Sequence, residues 1–175
     1  MRIVALSDQH GYLPAIPDYD LLIVAGDICP DRFGPFLAIH HPLAQKAWFD
    51  NHARPWLARA RAQYKIVTWG NHDWCGQACS FREYFDDGQA ADKTFIVVDD
   101  AVRVPTLDVP AGSLLIWATP WSNRFLNWAF MKDPNELEPV YAAIPDDVDI
   151  LGLPPASVRL WRSSPDRGRP RGSPR

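Results

Sequence analysis

Three short apolar runs, each ending directly in a polar loop, constrain the fold of this chain more than any other feature of its sequence. The runs are rich in β-branched residues and lie at residues 2–6, 21–25 and 65–69. Continuous apolar runs of this length are typical of strands buried on both faces of a parallel sheet. Residues 42–62, between the last two runs, predict a helix that is interrupted near Pro55. This order of elements predicts an α/β domain.

The remaining elements and the cysteines extend this prediction. Further strands are expected at residues 94–98, 102–104, 114–118 and 149–151, and a helix is expected at residues 135–144. No apolar run is long enough to cross a bilayer, and the first residues turn polar too early for a signal peptide. The three cysteines, at positions 29, 75 and 79, are too sparse for a disulfide framework. We therefore expect a cytoplasmic protein with no membrane partner.

Charge and composition divide the chain into two parts. Residues 1–151 hold 12 Lys and Arg against 20 Asp and Glu, whereas residues 152–175 hold six arginines against Asp166 alone. We predict a domain at residues 1–151 and a basic tail at residues 152–175. The tail is rich in Pro, Arg and Ser, so it is either disordered or the product of a shifted reading frame in GC-rich DNA. Nucleic-acid binding through these arginines is the minor alternative.

Polar residues that can hold a metal follow each of the first three predicted strands. They are Asp8, His10, Asp27, Asn71 and His72. Because the carboxyl ends of parallel strands border one crevice, we expect these side chains in one volume. Asp8 and His10 are two residues apart, so an extended chain would point both to the same side. Carboxylate, imidazole and amide donors together suit Mn, Fe or Zn, and Asp27 could bridge two such ions.

Each of these motifs has a structural alternative. A Gly-Asp pair marks turns in many proteins, and Asn71 or Asp73 could cap a helix. The three motifs in this order, each directly after a predicted strand, are much harder to explain as turns and caps alone. The pattern therefore favours a metal site, with His72 placed to assist a leaving oxygen.

The same motifs resemble those of the calcineurin-like metallophosphoesterase family. The matching blocks are Asp8-x-His10, Gly26-Asp27 and Gly70-Asn71-His72-Asp73, and residues 118–130 are similar to a Pro-Trp and Trp-Ala-Phe stretch of its MPPED-type subgroup. The resemblance implies two packed β-sheets flanked by helices, a four-layer sandwich. It also implies metal-dependent hydrolysis of a phosphodiester or phosphomonoester, with cyclic nucleotides as one substrate class, by attack of a metal-bound hydroxide.

The resemblance also implies a role for each site residue. Asp8 and His10 would bind one divalent metal ion, Asn71 would bind a second, and Asp27 would bridge the two. His72 would be the catalytic imidazole. The expected cofactors are thus two ions of Mn, Fe or Zn, and the expected partner is a small phosphoester substrate.

The chain departs from the family pattern after His72. The family continues with an isolated histidine and a Gly-His-x-His block, but no histidine follows His72 here. The resemblance then implies a C-terminally incomplete fold and reduced metal occupancy. The alternative function is a catalytically impaired, truncated paralogue or pseudogene product that acts at most as a binding protein. The oligomeric state stays open.

Overall fold

A computed structural model describes residues 1–32, 41–78, 94–106 and 110–154 of the 175-residue chain. The strands within those ranges are β1 (Ile3–Leu6), β2 (Leu21–Ala25), β3 (Tyr64–Thr68), β4 (Thr94–Ile96), β5 (Asp100–Pro105), β6 (Ser113–Ala118), β7 (Ser122–Asn123), β8 (Met131–Lys132) and β9 (Ile150–Gly152). The helices are α1 (Pro42–Trp48), α2 (Arg54–Arg59), α3 (Trp74–Ala78) and α4 (Pro134–Ala142). The predicted strands and both predicted helical regions are confirmed, with ends that shift by at most three residues, whereas β7, β8 and α3 were not predicted.

The first four strands form one parallel sheet, in the order β1-β2-β3-β4. Strand β3 is buried along its whole length, and four of the five residues of β2 are buried. This pattern explains why both strands are almost continuously apolar in sequence. β1 lies at an edge of this sheet, where Ile3 is 44% exposed.

The helix predicted between β2 and β3 is interrupted, as expected, close to Pro55. Helix α1 ends at Trp48, a π-helical turn follows at Phe49–Ala53, and α2 begins at Arg54. Pro55 has no N–H to donate, and its ring would clash with the carbonyl of residue 51 in a regular helix. The wider π-helical turn accommodates the ring and lets the helical segment continue.

A second sheet has the order β5-β6-β9, in which β6 is antiparallel to β5 and parallel to β9. The two sheets share an apolar core, in which Leu21 and Ile66 of the first sheet pack with Val104 and Ile116 of the second. The opposite face of the first sheet packs against the helices, through residues such as Leu22. Strands β7 and β8 form a small separate sheet.

The coarse prediction of an α/β fold with several sheets and few helices is confirmed. The finer prediction of a four-layer metallophosphoesterase sandwich is not established by this arrangement. Strand β9 ends at Gly152, one residue beyond the predicted domain boundary. Residues 155–175, most of the predicted basic tail, lie outside the described residues. Among the described residues, no helix combines the length and apolar character needed to cross a membrane.

Candidate metal centre

The loops that follow β1 and β2 are hydrogen-bonded to each other. The backbone N–H of His10 donates to the carbonyl oxygen of Asp27 at 2.8 Å, and the N–H of Gly11 donates to that of Ile28 at 2.9 Å. These two bonds continue the pairing of the parallel strands beyond the sheet. They place Asp8 and His10 beside Asp27, as the sequence predicts.

A buried carboxylate fixes the loop after β3 against the loop after β2. Asp73 is fully buried and accepts from the N–H groups of Cys29 at 2.9 Å, Gly70 at 2.9 Å and Ile28 at 3.3 Å. Burial and the nearby charge of Asp27 together raise the pKa of Asp73 to about 6, although the three N–H groups favour its charged form. Asp73 therefore joins two site loops instead of capping a helix.

A hydrogen bond from its own backbone fixes His72 next to Asp27. Its N–H donates to Oδ1 of Asp27 at 2.9 Å. Burial raises the pKa of Asp27, and this hydrogen bond and the nearby His72 and His10 rings only partly offset that effect. A buried carboxylate with a raised pKa gains from a cation that neutralises its charge.

Two overlapping groups of side chains have ligand atoms close enough to hold a metal ion. Asp8, His10 and Asp27 form one group, and His10, Asp31 and His72 form the other, with all ligand atoms of each group within 4.8 Å of one another. Four predicted site residues therefore converge: Asp8, His10, Asp27 and His72. The fifth, Asn71, is buried next to them, and its carbonyl oxygen accepts from the N–H of Ala129 at 3.0 Å.

Asp31 is the site residue that sequence reasoning missed. Its Oδ1 lies 2.8 Å from Nδ1 of His72 and 3.2 Å from Nδ1 of His10. Partial burial alone would raise the pKa of Asp31, but the hydrogen bond to His72 and the two imidazoles outweigh that effect and lower the pKa. Asp31 follows Asp27 by four residues in an irregular loop, where no periodicity indicates which side chain turns inward. The short Asp-Ile-Cys-Pro-Asp spacing is the one signal that could have found it.

The Asp31 carboxylate also bears on the protonation of the imidazoles. An ionised carboxylate only accepts hydrogen bonds, so its contact with His72 favours a proton on Nδ1 of that ring. The His72 ring is further held by aromatic neighbours: its centroid lies 4.4 Å from the ring of Trp128 and 4.8 Å from the ring of His10. An imidazole oriented in this way can accept a proton or bind a cation.

Three residues of the cluster have left-handed backbone conformations. The φ angles are 52° for Asp8, 43° for His10 and 55° for Asp27. Side chains with a Cβ atom adopt this region at a cost of order 1 kcal/mol, and such residues concentrate at functional sites. The extended conformation predicted for Asp8 and His10 is therefore wrong, because β1 ends at Leu6 and the chain turns. The two side chains meet through the turn and not through strand alternation.

The donor set fits a divalent cation of borderline character. Oxygen ligands come from carboxylates, and nitrogen ligands come from imidazoles, which is the mixture that Mn, Fe and Zn accept. The lack of a side chain at Gly70 leaves room for Asp27 to lie among the other ligands. A Cβ atom on Gly70 would lie 2.2 Å from Oδ1 of Asp27.

Comparison with known proteins gives a distant relative. The chain is 28% identical, over 165 residues, to a probable rhamnogalacturonate lyase C of Emericella nidulans. The similarity spans 91% of this chain but only 14% of that protein. No family model matches the sequence.

These comparisons overturn the resemblance to calcineurin-like metallophosphoesterases of the MPPED type. No family model supports that membership, and the curated relative is named as a lyase and not as a hydrolase. The predicted phosphodiesterase or phosphomonoesterase activity is wrong for the same reason. The physical reason is that short Asp-x-His, Gly-Asp and Asn-His-Asp motifs determine which donors meet at the end of a parallel sheet. They do not determine which bond a bound molecule would break.

Proposed function

We propose that this chain binds one or two divalent cations, Mn, Fe or Zn, and through them an anionic ligand. Asp8, His10 and Asp27 would hold the principal ion, and Asn71 would complete the site from the neighbouring loop. The observation that carries this proposal is the approach of three ligand atoms to within 4.8 Å of one another at left-handed backbone positions. A bound cation would supply positive charge that neutralises these carboxylates and attracts an anion.

His72 is the proposed acid–base group of this site. Asp31 would favour a proton on Nδ1 of His72, and Nε2 would then be the nitrogen that takes a proton from a bound molecule or returns it. The His72 side chain keeps 21% of its surface exposed, which leaves a path for a ligand. A cation beside this imidazole would increase the acidity of a proton close to a bound anionic group.

Isothermal titration of the purified chain with Mn²⁺ tests the cation site. We expect binding that falls at least tenfold in an Asp27→Asn variant, because that change removes a buried ligand charge. An Asp18→Asn variant, which alters an exposed carboxylate outside the cluster, is the matched control and should bind as the native chain does. Equal Mn²⁺ affinity in all three proteins would refute the proposal.

Elimination on an acidic polysaccharide is the second candidate function. The similarity to a probable rhamnogalacturonate lyase across 91% of this chain favours it. Such a reaction needs a base near a carboxylate-bearing sugar and a cation that neutralises that carboxylate. The proposed site would offer both: His72 would be the base, and the ion held by the neighbouring ligands would be the cation.

The lyase candidate is tested by incubating rhamnogalacturonate with the chain and Mn²⁺ and recording ultraviolet absorbance from an unsaturated product. Absorbance that grows with the native chain and is lost in a His72→Ala variant would support it. A His52→Ala variant, which changes an exposed helical histidine, should keep the signal. Mn²⁺ binding without any unsaturated product would leave the cation site standing and remove the lyase.

For the compartment, we propose the reducing cytoplasm. Cys29 and Cys75 are free thiols, which is the usual state of cysteines in that compartment. Binding of nucleic acid by the arginines of residues 152–175 remains the minor proposal. It predicts salt-sensitive binding that disappears when those residues are deleted.

A further inference from the structure

Two cysteines that are distant in sequence lie side by side beneath the candidate metal centre. The Sγ atoms of Cys29 and Cys75 are 3.6 Å apart, although 46 positions separate the residues. Both side chains are completely buried. The spacing considered from the sequence, between Cys75 and Cys79, is thus not the pairing that the structure brings together. Cys79 lies outside the described residues.

These two thiols join the loops that carry the cluster. Cys29 lies between Asp27 and Asp31 in the loop after β2, and its N–H donates to Oδ1 of Asp73 at 2.9 Å. Cys75 lies in α3, three residues after His72, and its N–H donates to Oε1 of Gln45 at 3.1 Å. A covalent bond between the sulfurs would therefore connect the segments on either side of the cluster.

A buried amide in the same region would transmit a change in the position of Cys75 to His72. Gln45 is fully buried, and its Nε2 donates to the carbonyl oxygen of His72 at 2.7 Å. The Oε1 of that amide accepts from Cys75, so Gln45 links the backbones of Cys75 and His72. Movement of Cys75 toward Cys29 would alter the position of His72 through this amide.

We propose that Cys29 and Cys75 form a reversible disulfide that weakens cation binding at the neighbouring cluster. The oxidant is a small-molecule disulfide such as oxidised glutathione. One cysteine thiolate attacks it and releases one reduced glutathione, and the second cysteine then displaces the other. The two protein thiols lose two electrons and two protons, and the glutathione disulfide gains them as two thiols. Because both sulfurs are buried, this exchange proceeds through local opening and is slow.

The disulfide changes the site because the sulfurs must move closer. A disulfide bond is about 2.05 Å long. Closing the present gap shortens the distance between the two sulfurs by more than about 1 Å. Metal ligands need to be held within about 0.5 Å of their working geometry, so a fraction of this movement passed to the loops would disturb the site. We expect Mn²⁺ affinity to fall at least tenfold on oxidation. This effect rests on the cation site proposed above, whereas formation of the disulfide does not.

Peptide mapping tests the disulfide itself. The native chain and a Cys79→Ser variant are incubated with oxidised glutathione, free thiols are blocked, and the digest is analysed by mass spectrometry. We expect a linked pair of peptides containing Cys29 and Cys75 in both proteins, which separate on reduction. Recovery of both cysteines as blocked thiols, or as mixed disulfides with glutathione alone, would overturn the proposal. A denatured sample verifies that the oxidant reacts with all thiols.

Mn²⁺ titration of the reduced and oxidised Cys79→Ser protein tests the coupling. We expect the difference in Mn²⁺ affinity between the reduced and oxidised states to vanish in Cys75→Ser and in Cys75→Ala. Two variants are used because a buried position can tolerate one replacement better than the other. Folding of each variant is checked by circular dichroism. A disulfide that forms without changing Mn²⁺ affinity overturns the coupling only. Absence of Mn²⁺ binding in both redox states overturns the cation site and the coupling, while the peptide map still decides the disulfide.

Discussion

At the scale of single residues, the charge state of Asp73 affects how the site holds together. Its carboxylate accepts three backbone N–H groups from two loops, yet it is fully buried beside Asp27. The hydrogen bonds favour the ionised form, whereas burial and the neighbouring charge favour the protonated one. The balance raises the pKa of Asp73 above its ordinary value of 3.8 to about 6.

This shift predicts a pH dependence for stability of the metal-free chain. Because the folded pKa of Asp73 is the higher one, the folded state binds more protons between pH 3.8 and about pH 6. The contribution of Asp73 is fully present below pH 3.8 and is lost as the pH rises through about 6. Its size is about 3 kcal/mol.

Urea unfolding in the presence of a chelator, at several pH values, measures this contribution. The native chain should gain stability relative to an Asp73→Asn variant as the pH falls from about 6 toward 4. The difference between the two proteins isolates Asp73 from the other carboxylates. A difference that is constant over this range, or that grows with rising pH, would contradict the assignment.

Asp31 gives a second prediction at the same scale. An Asp31→Asn variant keeps the shape of the side chain but loses the charge that faces Nδ1 of His72 and Nδ1 of His10. Residues that orient metal-binding imidazoles typically contribute 10-fold to 100-fold to affinity, so we expect Mn²⁺ binding to weaken by about that factor. Titration calorimetry measures it. Glu138→Gln, a change of an exposed carboxylate on α4, should leave the affinity unchanged.

At the scale of elements, the site depends on how closely the loops after β2 and β3 approach each other. A Cβ atom on Gly26 would lie 2.8 Å from Cα of Gly70, and the φ of Gly26 is +84°. Only glycine satisfies both conditions, because it has no Cβ and tolerates the left-handed region. These glycines let two backbones approach closely enough for Asp27 to contact the loop of His72.

Gly70→Ala tests the importance of this approach. Its Cβ would lie 2.2 Å from Oδ1 of Asp27 and 2.5 Å from the Asp27 nitrogen, so the loop must move. We expect a loss of about 2–4 kcal/mol in unfolding free energy, similar to other overpacked or strained core changes, together with weaker Mn²⁺ binding. Thermal unfolding and titration measure the two effects.

Gly112→Ala is the matched control for that change. Gly112 has a φ of +69°, but no atom lies within 4 Å of the added Cβ. This variant should lose about 1 kcal/mol from backbone strain and keep its Mn²⁺ affinity. Equal losses in both variants would show that the Asp27 contact is unimportant.

At the scale of the whole molecule, the first sheet supports two separate cores. Its alternate residues face the helices on one side and the second sheet on the other, as Leu22 and Ile23 do. Between the sheets, Ile116 of β6 is completely buried. The loops of the candidate metal centre begin at the strand ends of this supported sheet, so their positions depend on both cores.

Ile116→Ala tests the core between the sheets. Removing a buried Ile side chain leaves a cavity and typically costs 2–5 kcal/mol, so we expect a loss in that range by urea unfolding. Leu151→Ala on the neighbouring strand β9 is the control, because Leu151 is 41% exposed and its truncation should cost less than about 1 kcal/mol. An Ile116 variant as stable as this control would mean that the two sheets do not form a shared core.

The sequence alone determined the strands of the two larger sheets, the interrupted helix and the types of donor at the strand ends. These features depend on local apolar pattern, on proline chemistry and on the common edge of parallel strands, all of which act over a few residues. Asp8, His10, Asp27 and His72 could be assigned to one site for that reason. The reaction could not be assigned, because short motifs determine which donors meet and not which bond breaks, and the distant relative is named as a lyase.

Only the tertiary structure decided which distant side chains meet. Asp31 pairs with His72 across 41 positions, and Cys29 reaches Cys75 across 46. The left-handed turns at Asp8, His10 and Asp27 occur where hydrogen bonds join the loops after β1 and β2, and no local sequence pattern predicted them. Such contacts follow from how the loops pack against each other. That packing depends on the whole fold and not on any short stretch of sequence. Local patterns therefore show which residues can be donors but not which distant residues they contact.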